Sequence, residues 1–129
     1  PTNKPFRISS GYGYRYHPIR GQYHFHPAID ITGVKQRDIY SVQDGTVIKV
    51  AQTGYNGGNG SYVTIDHGDG YVASYLHLKA NSILVKKGET VQKGQKIATM
   101  GTTGSSTGVH LDFRIKKNGE YINPMKLYK

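Results

Sequence analysis

Apolar and polar positions alternate in short runs along most of this chain, and side chains that alternate point to strands. Runs of this kind occupy Asp44–Ala51, Ser61–His67, Gly70–Leu78 and Val109–Ile115, each rich in β-branched or aromatic residues. Turn signals separate them at Asp44-Gly45, Asn56-Gly57-Gly58-Asn59-Gly60, Asp69-Gly70 and Asn118-Gly119. No stretch sustains a period of 3.6, so the pattern predicts an all-β fold of antiparallel sheets in a single domain. In the clearest run Val109, Leu111, Phe113 and Ile115 belong to the core, and His110, Asp112 and Arg114 to the opposite face. In the run before it, strict alternation groups Val72, Leu76 and Leu78 on one face and Ala73, Tyr75 and His77 on the other. A shared polar face between two such strands would form an open groove.

Histidine and aspartate recur in this pattern. His26-Pro-Ala-Ile-Asp30 and His110-Leu-Asp112 each carry the pair at a spacing that one extended strand would present on a single face. His77 lies in Val72-Ala-Ser-Tyr-Leu-His77-Leu. Neutral imidazole with carboxylate suits a divalent metal, most often zinc, and further histidines beside an open metal position make a hydrolytic site. Each element alone is common on protein surfaces. Their coincidence in one small domain suggests a metallohydrolase. His17, His24 and His67 have no distinguishing spacing, and His67 reads as a turn residue.

Composition narrows the partners. The 129 residues fit one core, and a formal net charge of +9, from 17 basic and 8 acidic residues, attracts polyanions. Much of the charge flanks glycine turns, as in Lys86-Lys87-Gly88 and Lys116-Lys117-Asn118-Gly119. No recognised nucleic-acid motif accompanies it, and no apolar run approaches a membrane span, so neither nucleic acid nor membrane insertion is expected. Cysteine is absent, which excludes disulfides and thiolate ligands. The opening Pro1-Thr2-Asn3-Lys4-Pro5 reads as a linker remnant over residues 1–6, with a metallopeptidase-like domain over 7–129 drawn from a longer protein.

Taken in order, the motifs resemble the lysostaphin/LytM-type zinc metallopeptidases, which cut peptide bonds in bacterial peptidoglycan. The matching stretches are Ile8-Ser-Ser-Gly-Tyr-Gly-Tyr-Arg-Tyr-His-Pro18, Phe25-His-Pro-Ala-Ile-Asp-Ile31, Gly45-Thr-Val and Val63-Thr-Ile-Asp-His-Gly-Asp-Gly-Tyr71. Tyr75-Leu-His-Leu78, Val91-Gln-Lys-Gly-Gln-Lys-Ile97, Gly104-Ser-Ser-Thr-Gly-Val-His-Leu-Asp-Phe113 and Asn123-Pro124 continue the series. The resemblance implies a lysostaphin-like barrel-sandwich with an open substrate groove. It implies His26 and Asp30 as zinc ligands, and His77 and His110 as catalytic residues that serve the water and the transition state. Tyr55 or Tyr62 would line the groove.

The chain departs from the family at one position. The late motif is normally His-x-His, and Asp112 stands where its second histidine, the third zinc ligand, should be. Carboxylates are legitimate zinc ligands, so Asp112 is expected to complete the set, giving a neutral site that activates water less. The other course open to Asp112 is to pair with Arg114 on the same strand face. The expected function is a peptidoglycan-cleaving zinc metalloendopeptidase, a monomeric domain acting at the cell wall, outside the cell or in a phage tail. The alternative is a catalytically degenerate domain of the same fold that binds wall or a partner. A biotinyl or lipoyl carrier, suggested by the Val85-Lys-Lys-Gly and Val91-Gln-Lys-Gly turns, lacks the attachment context around its lysines.

Overall fold

The alternating runs become strands of one large sheet. The computed structural model describes the backbone at residues 7–10, 13–17, 22–26 and 29–32, and the chain in full at 38–104 and 110–124, with the Ile31 side chain. The expected linker at residues 1–6 lies outside the described residues. The strands are β1 (Arg7–Ser10), β2 (Gly13–His17), β3 (Gln22–His26), β4 (Ile29–Thr32), β5 (Asp38–Tyr40) and β6 (Gly45–Ala51). They continue as β7 (Ser61–Gly68), β8 (Tyr71–Leu78), β9 (Thr90–Val91), β10 (Lys96–Thr99), β11 (Leu111–Lys117) and β12 (Glu120–Ile122). An 8-stranded sheet runs β1-β4-β11-β8-β7-β6-β9, with β12 on the free part of β11. Two 2-stranded sheets, β10-β5 and β2-β3, complete the described fold, and its ladders are antiparallel. Among the described residues no helix is long and apolar enough to cross a membrane.

One face of the large sheet builds the core. Val47 from β6, Val63 and Ile65 from β7, Ala73 and Tyr75 from β8, and Leu111, Phe113 and Ile115 from β11 are buried together. Ile39, Ile83, Val85, Ile97, Ala98 and Met100 cover them from the other side. Tyr75 and Phe113 pack with ring centroids 5.2 Å apart, and the Tyr75 hydroxyl accepts a hydrogen bond from the Val42 amide at 3.1 Å, so its polar end is satisfied.

Strand β11 keeps its alternation throughout, whereas β8 keeps it only as far as Leu76. Ala73 and Tyr75 enter the core, and Val72, Ser74 and Leu76 face the open side, but Leu78 lies in the core, where strict alternation would group it with Val72 and Leu76. The cause is His77, whose φ of 62° lies in the left-handed region. A single residue there breaks the period of two, so Leu78 returns to the core while the His77 ring leaves it. His67 also differs from expectation: it lies within β7, with Nδ1 2.9 Å from the Asp44 carbonyl oxygen.

Candidate active site

His77 is held by two glycine-rich loops. Its amide donates to the Asn59 carbonyl and its own carbonyl accepts from the Gly101 amide, both at 3.0 Å. Its ring Nδ1 lies 2.8 Å from the Thr103 carbonyl oxygen. A carbonyl can only accept, so Nδ1 carries the proton, and in the neutral ring Nε2 is left as the acceptor. The same loops lock together through Thr103, whose Oγ1 donates to the Leu78 carbonyl at 2.5 Å and accepts from the Ser61 amide at 2.9 Å. Gly60 is required at this crossing: its φ is +67°, and a Cβ there would lie 2.3 Å from the Thr103 carbonyl carbon. The Asn56–Gly58 turn is tied by Asn56 Nδ2 donating to the Gly60 carbonyl at 2.8 Å.

The loop that holds His77 also positions His110. A β-bridge joins Gly101 to His110, and the His77 and His110 rings lie with centroids 5.0 Å apart. The two expected catalytic histidines are therefore adjacent. His77 Nε2 lies 3.9 Å from Asp112 Oδ2, beyond hydrogen-bond range.

Asp112 is 4 % exposed, and its carboxylate is engaged by Arg114. Arg114 Nε donates to Oδ1 at 2.8 Å and Nη2 donates to Oδ2 at 2.9 Å. Positions i and i+2 of a strand share a face, and the guanidinium fork matches a carboxylate, so this pairing is local and geometrically natural. Donation of hydrogen bonds to Asp112 raises the Arg114 pKa above its ordinary value; burial opposes the rise, and the Asp112 charge and the Tyr121 hydroxyl add to it.

The expected metal ligands lie on three different strands. His26 ends β3 in the two-stranded sheet, opposite Gly13, while Asp30 lies in β4 of the large sheet. They do not share one extended strand, as their spacing suggested, and Pro27 between them has no N–H to give to a continuous ladder. The β4–β11 register makes Asp30 the Cα partner of Asp112, so the backbone brings these two positions together. The side chains of His26 and Asp30 lie outside the described residues. Among the described residues no three His, Asp or Glu side chains form a group that could hold a metal ion. As arranged, both Asp112 carboxylate oxygens accept hydrogen bonds from Arg114.

The model of peptidase family M23 matches residues 24–124. The chain belongs to this family. Among M23 relatives, the peptidoglycan DD-endopeptidase ShyC of Vibrio cholerae is 41 % identical over 119 residues, covering 92 % of this chain and 26 % of the relative. The chain thus spans about a quarter of the length of the curated relatives it matches. A zinc-containing peptidase from Vibrio cholerae superposes with a TM-score of 0.85 at 38 % identity, covering 97 % of this chain and 38 % of the other. The catalytic domain of lysostaphin from Staphylococcus simulans superposes with a TM-score of 0.76 at 26 % identity, covering 95 % and 91 %. The all-β, lysostaphin-like fold read from the motifs is therefore that of the molecule.

Sequence reasoning missed Thr103 and Asn59, the residues that hold His77. Their signal was the pair of glycine-rich segments, Asn56–Gly60 and Gly101–Gly104, whose spacing marks a close backbone crossing.

Proposed function

We propose that this M23 domain recognises bacterial peptidoglycan without cutting it, as a catalytically degenerate member that acts at the cell wall. The observation that carries this reading is the bidentate Asp112–Arg114 pair. It sets a fixed cation of the chain against the carboxylate that would otherwise be available to a metal. The peptidoglycan endopeptidases among the relatives support the wall as ligand, and the net charge of +9 favours an anionic polymer. The linker at 1–6 and a domain over 7–129 remain part of this proposal.

A second reading is favoured by the paired rings of His77 and His110 and by the register of Asp112 with Asp30. In it Arg114 releases Asp112, and His26, Asp30 and Asp112 hold zinc, which would polarise a peptide carbonyl and activate water. His77, fixed by Thr103 with Nε2 as acceptor, would then orient that water beside His110.

One experiment separates the two. The purified domain is mixed with wall sacculi of several types, and both sedimented protein and released peptide fragments are measured. Binding without release is expected. Release by the parent chain at a rate matching an active M23 enzyme would establish the second reading, and the absence of any sedimentation would remove the first.

A further inference from the structure

We infer that the β11–β12 hairpin is a latch that keeps Arg114 on Asp112, with Tyr121 as its positioning residue; this deepens the degenerate-site reading and rests on it. Asp112, Arg114 and Lys116 stand at alternate positions of β11 and share one face. Strand β12 returns beside them with Lys116 and Tyr121 as direct Cα partners. Tyr121 is thereby the diagonal neighbour of Arg114, within reach of a long side chain. Its hydroxyl accepts a hydrogen bond from the Arg114 guanidinium. The fork onto Asp112 uses Nε and Nη2, so donors of the guanidinium remain for this second acceptor. Arg114 is thus held between a buried carboxylate and a phenol of the next strand.

The register that places Tyr121 there is fixed from outside the pair. Asn118 and Gly119 have φ of 52° and 86°, both left-handed, as a two-residue hairpin turn of type I′ demands. The Asn118 amide donates to the Gly70 carbonyl at 2.9 Å, and a Cβ on Gly70 would collide with Asn118 Oδ1. Lys117 Nζ reaches the Asp69 carbonyl and lies 3.9 Å from the Tyr71 ring centroid. The hairpin is therefore tied to the turn between β7 and β8. A slip of one residue in β12 would carry Tyr121 to the other face. Lys116 Nζ, 4.8 Å from the Tyr121 ring centroid, adds a cation–π contact that steadies the ring. The outer part of the latch is accessible: Tyr121 is 38 % exposed, and among the described residues β12 pairs with β11 alone. A change at this exposed hairpin reaches the buried Asp112 through Arg114.

The test uses the whole chain in metal-free buffer and compares the parent with Tyr121→Phe, which keeps the ring and removes the hydroxyl. Hydrogen exchange of the Arg114 Nε–H is followed by NMR beside that of the β11 backbone amides. Loss of one hydrogen bond is expected to speed the Arg114 exchange roughly three- to tenfold, with the β11 amides unchanged. Lys116→Gln keeps the hydroxyl and removes the cation from the ring, and should give a smaller acceleration. Unchanged Arg114 exchange in Tyr121→Phe would overturn the latch. Equal acceleration of Arg114 and the β11 amides would also overturn it, because Tyr121 would then support the hairpin as a whole. Zinc content of the parent is measured in parallel. One tightly held zinc per chain would remove the degenerate-site reading, while the metal-free exchange would still decide the latch.

Discussion

At His77 the chain uses backbone to hold a side chain, and at Asp112 it uses another side chain. The first residue is surrounded by carbonyls and amides of two loops: Asn59 and Gly101 take its backbone groups and Thr103 takes its ring nitrogen. These partners carry no net charge, and they leave Nε2 directed at the space shared with Asp112 and His110. The second residue is held by a charge on its own strand, and both of its oxygens receive hydrogen bonds. The lesson is that the two corners differ in what they leave available. Backbone partners orient a catalytic type of group without consuming its chemistry. A guanidinium that forks onto a buried carboxylate satisfies it, and in the function proposed above does so in place of a metal.

The largest expected effect comes from removing one side of that pair. Arg114→Leu leaves the buried Asp112 charge uncompensated and should destabilise the domain by about 2–4 kcal/mol, at the low end for such losses because the Arg114 side chain is a quarter exposed. Urea unfolding measures it. The double variant Asp112→Leu/Arg114→Leu should recover most of the loss, since an apolar pair of similar volume is often neutral or better. A loss in the single variant below about 0.5 kcal/mol, within the range of an ordinary surface change, would mean that the pair does not hold this corner.

A smaller effect is expected at the other corner. Thr103→Val removes the hydroxyl that joins Leu78 and Ser61 and should cost about 1–2 kcal/mol, with Thr103→Ser restoring most of it. The Thr103 carbonyl survives both changes, so nitrogen-15 spectra should show the same Nδ1-protonated His77 ring in all three proteins. A ring tautomer that switches in Thr103→Val alone would show that the hydroxyl, not the backbone, sets His77.

Much of this contrast was legible in the sequence, for reasons that separate by residue. Leu111, Phe113 and Ile115 alternate without interruption, so β11 and its open face could be read directly. The pairing of Asp112 with Arg114 was one of two courses open at that position, because i, i+2 spacing on a strand is a local relation. Leu78 was grouped with Val72 and Leu76 because nothing in Tyr75-Leu-His-Leu78 announces a left-handed residue, and the φ of His77 goes with loops 59–61 and 101–103 that meet it only in three dimensions. His26 and Asp30 were joined on one strand for a similar reason: their spacing is right, but the two strands belong to different sheets.

Whether Arg114 holds the Asp112 carboxylate in place of a metal is read most directly from zinc content. The domain is stripped with chelator, returned to equimolar zinc, desalted and analysed by mass spectrometry beside Asp112→His/Arg114→Leu, which restores the family's His-x-His motif and removes the competing cation. Far less than one zinc per chain is expected in the parent and close to one in the variant. One tightly held zinc per chain in the parent would contradict it, because the ion could then occupy the site with Arg114 present.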